Sequence, residues 1–357
     1  MTTNDTIFYL LDANLDILAA VDIYQSAIFT RRYQAAGDFE LYIPASQEML
    51  ALLKSATYVT RADDTSCAGI IEKITIEQNA ETGDFLIASG PDLSALLDRR
   101  IVWRQTTYSG AAEKIIRNLV QQAFIEPEDA SRAVSNFGLA AEIGITQKLR
   151  VQYTGDFVGE SIAAICKTIK CGYRVNLDLL QKKFIFELYQ GEDRSYNQSE
   201  NPFVVFSSNF ENLLASTYSQ DAAASKNVAQ VAGEGQGNER VKVTVGTATG
   251  IDRRETFVDA LQTSDNGGEL DLATYQAVLR ESGTQSLAEL IPVEEIDGEV
   301  IPNYNYTLGI DFFLGDIVEV VNDYGTQMSP RVTEVIENWA AEGYTCIPTF
   351  ASDDENS

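Results

Sequence analysis

The residues that could do chemistry fall into a few groups, and carboxylates are the most abundant of them. Asp63-Asp64, Glu192-Asp193 and Glu294-Glu295 are adjacent acids of the kind that supply an acid and a base at a glycosidic bond. With 53 Asp and Glu in 357 residues, such pairs arise from composition alone, and no aromatic-lined cleft is legible around them. The glycine-rich run GEGQG, 233–237, has the look of a phosphate loop. A phosphate loop must open a helix, so that the helix N-terminus meets the anion. Here the run opens a strand, Arg240-Val245, and carries Glu234, so it reads as a hairpin tip. SDNGGELD, 264–271, sets carboxylates around a glycine pair as calcium loops do. Counted from Asp265, however, Gln276 falls where the bidentate Glu belongs, so a surface turn is expected. Histidine is absent, which removes Ser-His-Asp and Cys-His catalysis and the HExxH zinc site. The four cysteines, Cys67, Cys166, Cys171 and Cys346, form no CxxC pair and read as reduced, buried small residues. No catalytic residue, cofactor or metal is expected.

Three arginine pairs remain, Arg31-Arg32, Arg99-Arg100 and Arg253-Arg254, in a chain with only 26 basic residues and a net charge of −27. The charge is unevenly spread: Glu255 to Ser357 holds two basic residues, Arg280 and Arg331, and twenty-one acidic ones. Such a chain repels phosphates, which excludes stable nucleic-acid binding through phosphate neutralisation. On a strand, one arginine of each pair faces inward and the other outward. They either pair with acids of their own chain or meet the acidic C-terminal region of a neighbouring copy, which makes all six candidate subunit-interface residues.

The elements that must position these groups are mostly strands. FELYIP alternates, with Phe39, Leu41 and Ile43 on one face, and GIIEKITIEQ and FLIASG flank a turn at Gly83. Ser46 is placed to cap a short helix bearing Met49, Leu50 and Leu53. Residues 104–200 change character. A helix capped by Ser109 carries Ile115, Ile116, Leu119 and Val120. A second, from about Asp156, buries Ile162, Ile165 and Ile169 and ends with Lys167, Lys170 and a capping Gly172. YRVNLD and KFIFELYQ follow as a hairpin. Further strands precede and follow an acidic segment with a helix from about Leu272. No run approaches the eighteen or so apolar residues a membrane span needs, and the N-terminus lacks the basic region of a signal peptide. A cytoplasmic site of synthesis and no membrane anchor are expected. GIIEKITIEQ and RVTEVIENWAAEG echo one another, which suggests a duplicated β domain.

The segments FTRRYQAAGDFELYIPA, ASGPDLSALLDRRIV, TYSGAAEKIIRNLV, TGIDRRETFVDA and LGIDFFLGDIVEVVN resemble, in pattern and order, the tail-hub family of long-tailed phages. The resemblance covers about residues 7 to 350. It implies an α+β, β-rich fold with two small β-barrel domains, 1–103 and 201–265 joined to 303–350. An α+β domain spans 104–200, a helical acidic insertion 266–302, and a disordered tail 351–357. It further implies a non-enzymatic homotrimeric ring at the virion tail tip, with distal tail protein, tail tube, tape-measure protein and fibre or spike proteins as partners. DNA or the tape-measure protein would pass through its lumen. Separate fibre or lysin subunits would supply receptor binding and wall cutting. A phage-like injection particle, and a receptor- or carbohydrate-binding β protein, which sixteen tyrosines favour, are the alternatives.

Overall fold

The computed structural model describes residues 6–78, 81, 83–265, 267–268, 270–300, 305–325 and 327–352. Short alternating strands dominate, as expected from the sequence. Ser46 caps helix α1, Gln47–Ser55, by accepting from Met49 N at 3.0 Å, and Leu53 is its buried residue. Helix α2, Ala112–Val120, buries Ile115, Ile116, Leu119 and Val120 as its spacing predicts. Its cap is not Ser109, which instead lies in strand Thr106–Ala111; Ala111 ends that strand and starts the helix with no side-chain cap. Helix α3, Val158–Ile169, closes with Lys170 in the left-handed region, φ 54°, rather than with Gly172. Gly172 already begins the next strand, and a Cβ there would lie 2.4 Å from the Tyr33 ring. The glycine is thus required by close packing, while the lysine takes the left-handed turn at some local cost.

Helix α4, Leu272–Ala288, is the helix of the acidic segment. It packs on the three-stranded sheet of Val228–Ala232, Lys242–Val245 and Glu255–Asp259, around Val231, Val243, Tyr275 and Leu279. The same segment supplies strand Val293–Val300, which leaves this unit and joins the principal sheet. On α4, Glu281 is partly buried, and its Oε1 has no partner among the described residues. Burial raises its pKa above the usual carboxylate value. A raised folded-state pKa gives stability that is fully present below the unfolded value and lost as pH rises through the folded one. Glu281→Gln is therefore expected to stabilise the fold at neutral pH by up to about 1 kcal/mol, discounted for partial exposure. It should also flatten the stability profile above about pH 4.5. Urea unfolding at acidic and neutral pH reads both effects, and an unchanged profile would refute the assignment.

The principal sheet has eight antiparallel strands. In spatial order they are Leu213–Asp221, Val293–Val300, Gly343–Ala351, Arg331–Ala340, Ser26–Arg32, Asp38–Pro44, Phe85–Pro91 and Lys73–Glu77. Its middle is the pairing of Arg331–Ala340 with Ser26–Arg32, in which Glu337 faces Phe29 and Glu334 faces Arg32. Outward from that contact each half runs a hairpin and then a second strand pair. The echo between GIIEKITIEQ and RVTEVIENW does not map onto equivalent places. The first divides between strand Ala68–Ile70 and the outer edge strand, whereas the second is a central strand. Neither half closes into a barrel among the described residues. Each central strand spends its inner edge on the other half, so that edge is unavailable for closure.

Trp339, from strand Arg331–Ala340, packs into the N-terminal core beside Phe8 and Phe29. A second core joins Leu11, Tyr58, Leu93 and Leu97 to α2, α3 and the hairpin of Gly172–Asp178 and Lys183–Tyr189. Phe206, Phe312 and Phe350 centre a third. Residues 353–357 of the expected tail lie outside the described residues; Ala351 ends a strand.

Candidate functional site

The central strand contact gathers charge that the sequence keeps three hundred residues apart. Arg31 extends to the buried side of the sheet, where it meets Glu337, whose side chain is only 4% exposed. Arg61 Nη1 lies 3.7 Å from the same carboxylate, and Tyr344 Oη donates to it at 2.9 Å. Arg61 also pairs with Asp63 at 2.7 Å and Asp64 at 3.3 Å. Burial would raise the Asp64 pKa, but hydrogen bonds from Ser66 and the nearby Arg31 and Arg61 hold it below its usual value. The Cys67 thiol in this cluster is pushed up to about 12 by burial, which makes it a poor nucleophile. Arg32 turns to the opposite face and is held by Glu334 at 2.6 Å and Asp38 at 2.8 Å. The two arginines thus rivet one strand contact from both faces, as strand alternation requires.

Arg31 and Arg32 also line a cavity of about 250 Å³, together with Arg174, Arg194, Asp92 and Asp316. Arg194 is buried on Asp316 at 2.8 Å, and the more exposed Arg174 pairs with Glu187 at 2.8 Å. Burial raises the Asp92 pKa, opposed by bonds from Gly37 N and Ser94 N, both at 2.8 Å. Each of these guanidinium groups already has a carboxylate partner. The arrangement can hold chain segments together, and it offers no activated nucleophile. Arg61, Arg174 and Arg194 were not singled out from the sequence. Each is a lone arginine without a distinguishing local pattern.

The other two arginine pairs lie elsewhere. Arg99 pairs with Glu72 at 2.6 Å, and Arg100 stacks over Phe124 at 5.5 Å. Arg253 pairs with Glu255, while Arg254 donates to Ala222 O and to Ser225 Oγ, the latter at 2.6 Å. The structure therefore does not bring the six residues into one site. The hairpin tip at 233–240 is tied down by Arg240, which donates to Ala232 O, Gly233 O and Asp259. Glu234 accepts from Asp265 N at 3.0 Å, which joins this tip to the turn once compared with a calcium loop. Among the described residues no group of three His, Cys, Asp or Glu is placed to hold a metal. Glu192 binds Arg194 and Asp193 accepts from Ser195 N, so that acidic pair is structural. The side chains of Glu294 and Glu295 lie outside what is described.

Comparison with known proteins places this architecture. The fold resembles a tail protein from Neisseria meningitidis MC58, with TM-score 0.58, 14% identity, and coverage of 98% of this chain and 97% of that one. It also resembles the 43 kDa tail protein of prophage MuSo2 from Shewanella oneidensis, at TM-score 0.57, 11% identity, and 98% and 100% coverage. Prophage tail protein gp18 from Listeria monocytogenes EGD-e follows at 0.51, 11%, and 99% and 96%. No curated protein sequence matches the chain. The fold is the one these three phage and prophage tail proteins share. A profile of the siphovirus ReqiPepy6 Gp37-like protein family matches residues 7–350, and the chain belongs to that family.

Proposed function

We propose that this chain is a structural hub of a phage tail tip, working as a homotrimeric ring rather than as an enzyme. The observation that carries the reading is the eight-stranded sheet, which ends at Lys73–Glu77 on one side and at Leu213–Asp221 on the other, with no further strand on either among the described residues. Exposed sheet edges of this kind invite pairing with another chain. Because the sheet has an even number of alternating strands, its two edges run in opposite directions. One copy's edge can then pair antiparallel with the other edge of the next copy, in a heterologous contact that closes after a fixed rotation. Three copies would give a continuous wall of twenty-four strands with two half-sheets per chain, the quasi-sixfold geometry a sixfold tail tube requires.

The face of the sheet turned away from the cores would line the lumen. Its register brings together Asp38, Glu40, Glu77 and Glu334 with Arg32 and Lys73. That mild acidic excess suits passage of DNA or tape-measure protein without adhesion. Distal tail protein, tail tube, and fibre or spike proteins are the proposed partners. Arg99, Arg253 and Arg254 are the exposed members of the proposed subunit-interface set. Among the described residues no helix is long and apolar enough to cross a membrane.

Single-particle electron microscopy with solution mass, alone and with a distal tail protein, tests the reading. A closed threefold ring is expected. A monomer under both conditions would overturn it, and glycan binding by that monomer would favour a receptor-binding protein instead.

A further inference from the structure

The C-terminus of α3 brings two buried thiols into contact. Cys166 and Cys171 are both fully buried, and their Sγ atoms lie 3.3 Å apart. The chain arrives at this geometry through the helix cap. Lys170 takes the left-handed conformation, and Cys171 N donates to Cys166 O at 3.1 Å. This is the six-to-one bond of a Schellman ending, whose usual companion is an apolar contact between the same two side chains. Here both are cysteines. The sulfur separation exceeds a disulfide bond by only roughly 1.3 Å, and the hydrogen-bonded backbones are adjacent, as a disulfide requires. The turn also has a structural duty. Gln34 Nε2 donates to both Cys166 O and Cys171 O at 3.1 Å, and Tyr33 Oη donates to Lys170 O at 3.2 Å. The segment leaving the central strand Ser26–Arg32 is therefore anchored on this turn.

We infer that Cys166 and Cys171 form an oxidative modification site, closed to an intramolecular disulfide by a low-molecular-weight disulfide once the protein leaves a reducing compartment. One cysteine thiolate attacks the small disulfide, breaks its S–S bond and releases one small thiol, leaving a mixed disulfide. The second cysteine thiolate then attacks the protein sulfur of that mixed disulfide and releases the second small thiol. The cysteines are oxidised by two electrons, the small disulfide is reduced, and the two cysteine protons end on the released thiols. Burial raises the Cys166 thiol pKa, so closure requires transient opening of the helix end or occurs during folding. Cys67 and Cys346 are also buried, but they lie near Glu337 and belong to the two other cores, the N-terminal one and the one around Phe206.

The test treats the full-length protein with oxidised glutathione, both in the native state and during refolding from denaturant, where burial does not limit access. Thiols are then counted by maleimide mass tagging of the denatured chain, with tryptic mapping without reduction. The expected result is a fall from four free thiols to two. The tryptic map should show a link that survives cleavage after Lys167 and Lys170, both of which lie between the two cysteines. Cys171→Ala should keep a glutathione adduct on Cys166, because no second thiol is in reach. Retention of four thiols after oxidative refolding, a stable adduct on the wild-type pair, or preferential linkage of Cys67 to Cys346 would each overturn the inference.

Discussion

Glu337→Ala is expected to lower the stability of the fold by about 3–5 kcal/mol, the usual consequence of breaking a buried ion pair from one side. Glu337 is the shared acceptor for Arg31, Arg61 and Tyr344. Arg61 retains Asp63 and Asp64 as close partners when Glu337 is lost, whereas Arg31 keeps only the nearby charge of Asp64, and its buried Nε already has no partner among the described residues. Much of the loss thus comes from the orphaned guanidinium and not from the missing attraction. That argument makes a second, sharper statement. The double variant Arg31→Met with Glu337→Leu should recover a large part of the loss, because it removes both charges. Recovery stays incomplete, since Tyr344 Oη loses its acceptor. Denaturant unfolding followed by tryptophan fluorescence measures all three proteins. A single variant within about 1 kcal/mol of the parent would show that water reaches the site and that the pair is not buried in effect.

Trp339→Ala is expected to be as severe, again about 3–5 kcal/mol, through the lost burial and the cavity left behind. The ring is 9% exposed and packs edge-on to Phe8 at 5.7 Å and to Phe29 at 6.2 Å. It also lies against Tyr344 at 5.4 Å, beneath the Arg61 guanidinium at 5.2 Å. These partners come from both ends of the chain, so the substitution weakens the contact that makes two half-sheets into one. Fluorescence gives an independent check. The chain has two tryptophans, and the other, Trp103, is 59% exposed. The variant should therefore keep a red-shifted emission that hardly changes on unfolding, while its unfolding by circular dichroism moves to lower denaturant. Trp339→Phe should retain most of the stability. A Trp339→Ala protein with an unshifted transition would mean that the two halves fold without this contact.

Both predictions concern a contact that is hidden in the sequence, while the elements on either side of it were legible. FELYIP alternates strictly, and Phe39, Leu41 and Ile43 are indeed the buried set. Ser46 caps α1 because a serine three residues before an orphan N–H is a local device, complete within one turn. Where local chemistry misled, packing was the cause. Ser109 is a good capping residue, yet pairing with Lys148–Tyr153 holds it in a strand. Gly172 is a good helix terminator, but the Tyr33 ring claims the space where its Cβ would be. The arginine pairs were visible as an anomaly of composition, and their placement on opposite strand faces follows from alternation. Their partners did not follow, because any of many acids was available to each.

The amino-acid sequence by itself determined the β-rich α+β class, the buried faces of the strands, the absence of histidine chemistry and the acidic surplus. Each of these depends on residue type or on periods of two and 3.6 residues, which act over short stretches. Only the tertiary structure decided that Ser26–Arg32 pairs with Arg331–Ala340, that Arg31 is neutralised by Glu337, and that Cys166 touches Cys171. Alternation says which side of a strand is buried, but it is the same for every partner strand. The choice among partners is made by complementary packing and charge across hundreds of residues, after the entropy of closing that long loop has been overcome.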